Sequence, residues 1–199
     1  MRAKLCVILI CLSSVLLSGC QTSRKIETAS IIENVSISAE DSRVCYTFYI
    51  LSSDDKPKGI RIPADSFGEA RKLAESEYIP NLSLSKLELL LIEDSLSDRA
   101  LESDIEYIST QPSFSPSAYV ALCDRNTLEA FSRTAGGQRL IEEQLTLLKK
   151  NDPSVCVNYL SVFNRFASSK TKDFTVGYVT CDGELKISAK KIEKTKARR

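Results

Sequence analysis

The order of apolar and polar residues predicts strands along most of the chain. Val35, Ile37 and Ala39 alternate with serines, which is the pattern of a strand with one buried face. Residues 44–51 are rich in β-branched and aromatic side chains and predict a central strand buried on both faces. Further predicted strands cover 59–62, 86–92 and 118–123, and a helix is the alternative for 86–92.

Three segments have apolar residues three and four positions apart, as one face of a helix requires: 65–78, 97–109 and 126–150. Ser66 with Glu69 has the spacing of a capping box, and Asn126 with Glu129 repeats that spacing. A pair of glycines at 136–137 is expected to break or kink the third segment, because glycine is a poor helix former.

The last third of the chain predicts a set of paired strands. Residues 154–163 and 174–181 are both strand-like, and Asp182-Gly183 is typical of a two-residue hairpin turn, so 184–188 is expected to pair back. The whole pattern predicts an α+β fold, with an antiparallel sheet, two or three packed helices and two disulfides.

The first twenty residues have the layout of a secretory signal. Arg2 and Lys4 are followed by an apolar run from Leu5 to Leu17, and small residues precede Cys20. The run is too short for a transmembrane helix, which needs roughly 20 apolar residues.

The end of this segment, Leu17-Ser18-Gly19-Cys20, resembles the lipobox of bacterial lipoproteins. The resemblance implies that the Cys20 thiol receives a diacylglyceryl group, that the chain is cut before Cys20, and that the new amino group is acylated. The alternative is an ordinary signal peptide with a cysteine by chance. Gln21 stands where an Asp retains such proteins in the inner membrane, so the resemblance favours the outer membrane and a periplasmic location.

These features divide the chain into four parts: a signal peptide at 1–19, a lipidated Cys20 with a flexible tether at 20–30, a globular domain at 31–189, and a basic tail at 190–199. The net charge of +1 hides an asymmetry, since residues 186–199 hold seven basic residues and one acidic residue. The tail is expected to be disordered, and contact with lipid headgroups or nucleic acid are the alternatives.

Four of the seven cysteines, Cys45, Cys123, Cys156 and Cys181, lie beyond Cys20. An even number in an oxidising compartment predicts two disulfides. If 154–163 and 174–181 form one hairpin, Cys156 lies opposite Cys181 at disulfide distance. That pairing leaves Cys45 with Cys123.

The chain holds little catalytic chemistry. Histidine is absent, and no phosphate-binding, calcium-binding or zinc motif occurs, so no metal or cofactor is expected. Two S-x-x-K tetrads, Ser53 with Lys56 and Ser83 with Lys86, lack the other motifs of serine β-lactamases. The acidic stretch at 88–106 is either a binding patch or a solvated face.

The sequence therefore predicts a non-catalytic lipoprotein, held to the membrane through Cys20, whose domain binds a protein partner and no nucleic acid. Its make-up resembles small periplasmic immunity or inhibitor lipoproteins, which neutralise a toxin or hydrolase by binding it. A structural or assembly lipoprotein of the envelope is the alternative. A hydrolase using Ser and Lys or paired carboxylates is the third hypothesis.

Overall fold

The computed structural model describes eight ranges of the chain: 30–40, 43–50, 58–96, 98–111, 114–131, 133–134, 136–168 and 173–193. The signal segment, Cys20 and most of the tether lie outside these ranges, as do Ser53, Lys56 and the last six residues of the tail.

The described residues form one mixed sheet of eight strands: β1 Ser30–Glu40, β2 Arg43–Ile50, β3 Lys58–Ala64, β4 Leu82–Ser83, β5 Leu89–Glu93, β6 Tyr119–Cys123, β7 Asp173–Asp182 and β8 Glu184–Glu193. The strand order is β3-β2-β1-β5-β6-β7-β8, and the short β4 lies beside the start of β1. β1, β5, β6 and β7 are parallel, whereas β2, β3 and β8 join through antiparallel pairs.

Five helices are present in the described ranges: α1 Phe67–Glu77, α2 Asp98–Ser109, α3 Arg125–Phe131, α4 Gly137–Asn151 and α5 Tyr159–Ala167. None of them is both long and apolar enough to cross a bilayer. α1 begins where Ser66 accepts a hydrogen bond from the Glu69 amide, which confirms Ser66 as the cap. The Glu69 carboxylate accepts from the Asp65 amide at 3.0 Å, so the reciprocal bond of the predicted capping box is not formed.

The predicted third helix is two helices. The break at 136–137 is confirmed, since α4 begins at Gly137 after Gly136 takes a left-handed φ of 70°. The capping box predicted at Asn126 is wrong, because α3 begins one residue earlier. The Asp124 carboxylate accepts from the Thr127 amide at 2.7 Å instead.

The helices cover the two faces of the sheet unequally. On the first face, α1, α2 and α5 bury apolar residues such as Phe67, Ile105 and Val162 against the strands. On the second face, α3 and α4 cover a smaller core that includes Leu91 and Leu145. The fold is therefore α+β, as predicted, with helices on both sides of the sheet.

The prediction of an antiparallel sheet is wrong for its centre. Residues 89–92 are all buried, which is the composition of a parallel strand covered on both faces. α2 crosses from β5 back to the start of β6, so these two strands run in the same direction. The prediction that 86–92 contains a strand rather than a helix is confirmed.

The predicted hairpin of 154–163 with 174–181 is also wrong. β7 pairs with β8 along its whole length, and Cys181 lies opposite Leu185. Cys156 forms an isolated parallel bridge with Val176, and α5 follows three residues later. Val176, the bridge partner of Cys156, lies five residues before Cys181 on β7, which is a separation of roughly 16 Å along the strand. Cys156 is therefore not opposite Cys181.

All four cysteines are free, so the two predicted disulfides are absent from the structure. Cys45 lies in β2 and Cys123 in β6, and β1 and β5 lie between them. Three strand spacings amount to about 14 Å, well beyond the Cα separation that a disulfide can bridge.

A buried carboxylate joins three elements of the first face. Asp104 of α2 is 3% exposed and accepts hydrogen bonds from the Tyr46 hydroxyl at 2.7 Å and the Phe67 amide at 2.9 Å. Burial raises the pKa of Asp104, although both hydrogen bonds act in the opposite direction. Asp104 therefore ties α2 to β2 and to the start of α1.

Candidate functional site

The second face of the sheet is polar where it lies beyond the helices. Along β1 the residues on this face are Asn34, Ser36 and Ser38, whereas β5 presents Leu89 and Leu91. α3 and α4 cover the apolar half and reach the edge of the polar half, where Asn34 donates a hydrogen bond to Gln138 of α4. The polar half forms an open groove over β1, β2 and β3.

The groove holds a cavity of about 420 Å³. Its lining comes from three strands and α3: Ser36, Ser38, Ala39, Glu40, Thr47, Tyr49, Gly59, Arg61, Arg125, Leu128 and Glu129. A volume of this order is typical of sites for small ligands or side chains.

Hydroxyl groups form the floor of the groove. Ser36, Thr47 and Tyr49 are all buried, and the Ser36 and Tyr49 hydroxyls lie 3.2 Å apart. The Tyr49 ring packs edge-on against Phe131 of α3, with 5.3 Å between the ring centroids. Burial raises the pKa of Tyr49, so its hydroxyl keeps its proton as a hydrogen-bond donor.

Arg61 forms one wall. It reaches from β3 to the end of β1, where its guanidinium lies 3.0 Å from Glu40. It also bonds to the buried Cys45, and burial raises the pKa of that thiol despite this contact. Cys45 therefore remains a neutral thiol beneath Arg61.

Arg125 forms the opposite wall at the first residue of α3. Its Nη2 donates to the Ala39 carbonyl, and its Nε lies 3.5 Å from Glu93. The Glu93 carboxylate is nearly buried and also accepts from the Ala39 amide at 2.9 Å and the Ser95 hydroxyl at 2.8 Å. These contacts fix the direction in which Arg125 points.

A second polar cluster lies on the first face, at the carboxyl end of β5. Asp94 accepts from the Tyr178 hydroxyl at 2.9 Å and from Lys190 at 2.6 Å, and the Lys190 ammonium lies 4.5 Å from the centre of the Tyr178 ring. Burial alone would raise the pKa of Asp94, but the two hydrogen bonds lower it overall. Burial and Asp94 raise the pKa of Tyr178 to about 12. The cluster joins β8 to the end of β5.

The structure separates most residues that the sequence marked as candidates. Within the acidic stretch, Glu93 and Asp104 are buried on different elements, and Asp94 is paired with Lys190. The Ser83 hydroxyl bonds to Ser85 at 2.9 Å on the surface. In the described ranges, no three acidic or cysteine side chains come together as metal ligands.

The sequence pattern does not predict the groove. The alternation along β1 places Ser36 and Ser38 on the solvent side of a half-buried strand, and Arg61 falls in a predicted strand of only four residues. Thr47 is a polar residue within an otherwise apolar central strand, and this exception to the pattern indicates a polar site on that strand. Its partners could not be identified without the order of the strands.

Comparison with protein families gives a match over most of the chain. The family model described as the spore germination protein N-terminal domain matches residues 22–181 of this chain. Neither the curated proteins nor the solved structures give a match.

Proposed function

Since this chain belongs to the family of spore germination protein N-terminal domains, we propose that it is a membrane-anchored, non-catalytic subunit that acts in spore germination with other protein subunits. The observation that carries this proposal is the extent of the family match, which covers residues 22–181 and hence nearly all of the described domain.

The lipobox-like ending at Cys20 is consistent with the type of protein in this family. The family consists of lipoprotein-type subunits of germination receptors, and this chain has a lipobox cysteine two residues before the match begins. A diacylglyceryl group together with an acylated amino group would give stable membrane attachment, whereas one chain binds only marginally.

Attachment at Cys20 would hold the domain by one end. β1 begins at Ser30, ten residues after Cys20, and the groove lies towards the opposite end of the same strand, at Ala39 and Glu40. Ten residues span at most about 35 Å, whatever their conformation. The tether therefore limits the distance between Cys20 and the start of β1 to about 35 Å.

Family membership favours receptor subunits as partners over a toxin or hydrolase. It lends no support to the immunity or inhibitor hypothesis. It associates the protein with the spore inner membrane of Gram-positive bacteria, and it lends no support to the periplasm or the outer membrane. Gln21, the residue after Cys20, therefore no longer supports an outer-membrane location.

The attachment is tested by Cys20→Ala. We expect this variant to lose metabolic palmitate labelling and to accumulate as an uncut precursor, because both lipidation and cleavage depend on the cysteine. Cys181→Ser, which removes a partly exposed thiol elsewhere, serves as the matched control and should label like the wild type. Labelling of the Cys20→Ala chain at the wild-type level would refute lipid attachment at this residue.

A further inference from the structure

We propose that the groove on the second face binds a carboxylate group between Arg61 and Arg125, and that Glu40 competes with this ligand for Arg61. The inference goes beyond the proposed function, which requires no ligand in the groove. A small molecule and an acidic side chain of a partner protein both supply this chemistry.

The two guanidinium groups converge on the end of β1 from opposite sides. Arg61 approaches Glu40 from β3, and Arg125 approaches the carbonyl of the preceding residue, Ala39, from α3. Both arginines line the same cavity. A ligand carboxylate that displaces Glu40 from Arg61 would therefore lie between the two guanidinium groups, with the Glu129 carboxylate also lining the cavity.

Arg61 can exchange its partner at little cost. The side chains of Arg61 and Glu40 are 61% and 45% exposed, and ion pairs with that exposure contribute only about 0–1 kcal/mol. The planar guanidinium presents a fork of N–H groups that matches the two oxygens of a carboxylate. Glu40 therefore occupies the position that a ligand carboxylate would take.

Arg125 is held in an orientation in which it can bind the same carboxylate. Its contacts with Glu93 and the Ala39 carbonyl use two of the five N–H groups of a guanidinium, and 55% of its side chain remains exposed. Because Glu93 is itself fixed by Ala39 and Ser95, Arg125 is oriented before any ligand arrives.

The floor fits a polar ligand rather than an apolar one. Ser36, Thr47 and Tyr49 present hydroxyl groups where the neighbouring half of the same face is aliphatic. Each hydroxyl can both donate and accept, so the floor can satisfy further ligand oxygens or a peptide group.

The test compares the two members of the ion pair. Binding of succinate and of a synthetic peptide of alternating Asp and Ser residues is measured by calorimetry on the full chain, with succinamide as the uncharged control. We expect Glu40→Gln to tighten binding several-fold, because it removes the competitor. Arg61→Gln and Arg125→Gln should each weaken binding roughly tenfold or more, since each removes a charge-assisted hydrogen bond.

Arg139→Gln is the control, because Arg139 forms an exposed ion pair with Glu143 at 2.9 Å on α4, outside the groove. Its binding should equal that of the wild type. If the Arg61–Glu40 pair only supports the fold, Glu40→Gln and Arg61→Gln would shift binding in the same direction, which would overturn the proposal. Melting temperatures of the variants show whether each is folded.

The two probes separate the sources of the carboxylate. Tighter binding of succinate indicates a small molecule, tighter binding of the peptide indicates a partner's acidic segment, and equal binding supports the carboxylate site itself. Failure of both charged probes to bind at millimolar concentration would refute the site. Loss of lipid attachment would leave these results unchanged, so the two proposals can fail separately.

Discussion

Asp104 is the residue on which the contacts of α2 with α1 and β2 depend. Its two carboxylate oxygens accept from the Tyr46 hydroxyl and the Phe67 amide, and no other residue replaces it in those two bonds. The raised pKa means that folding favours the protonated form. Its contribution to stability is therefore linked to pH.

We predict that the Asp104→Asn variant changes the pH dependence of stability in a defined direction. A folded-state pKa above the unfolded value gives a contribution that is fully present below the unfolded pKa and is lost as pH rises through the folded pKa. The wild type should therefore lose stability relative to Asp104→Asn as pH rises from about 4 through the raised pKa of Asp104. Urea unfolding of both proteins over a series of pH values measures this difference.

Other carboxylates do not disturb that comparison. Burial also raises the pKa values of Glu33 and Glu142, but both residues are present in the two proteins and cancel in the difference. A wild type that gains stability over the Asn variant as pH rises would contradict the account of Asp104.

At the scale of elements, the contact of α4 with β7 depends on a glycine. A Cβ added to Gly177 would clash with Cδ2 of Leu145. Leu145 is fully buried in the core of the second face, so it has little space to move. The missing side chain at Gly177 lets the helix pack closely on the sheet.

We predict that Gly177→Ala destabilises the domain by about 1–3 kcal/mol through overpacking. Leu145→Ala is itself destabilising because it leaves a cavity, but the double variant should lose less stability than the sum of the two single variants, since the second change removes the atom that clashes. Thermal unfolding of the two single variants and the double variant forms the cycle. Additive effects of the two changes would show that Gly177 and Leu145 are not coupled.

The sequence predicts single elements better than their partners. The strand at 44–51, the helix after Ser66 and the break at 136–137 follow from local composition, and the structure contains all three. Residues 154–158 alternate like a strand but form only two isolated bridges in the described part of the chain. Cys156 bridges to Val176 of β7, and Asn158 bridges to Tyr119 of β6. Which strands a segment contacts depends on the whole topology, and the disulfide prediction failed for that reason.

The candidate site illustrates the same limit. Ser36, Thr47 and Arg61 lie on three consecutive strands, and their common face becomes evident only when the register of β1, β2 and β3 is known. Arg125 comes from a helix that is more than sixty residues further along the chain. No spacing in the sequence brings these four residues together.

At the scale of the whole molecule, the domain combines a covered sheet with one open polar groove. The helices bury the two cores, and the groove lies over β1, β2 and β3 beside α3, whose Arg125, Leu128 and Glu129 line it. Together with membership of the family of spore germination protein N-terminal domains and with the proposed attachment through Cys20, this arrangement fits a subunit that offers the groove to protein partners at a membrane.

The central claim is that this chain works as a membrane-attached subunit among other germination proteins. It is tested most directly by cross-linking and purification of the tagged full chain from spore membranes. We predict that other germination receptor subunits are recovered with the wild type and that Cys20→Ala abolishes their recovery from the membrane fraction. Recovery of the wild-type chain in the soluble fraction, or with a secreted toxin or hydrolase in place of receptor subunits, would contradict the account.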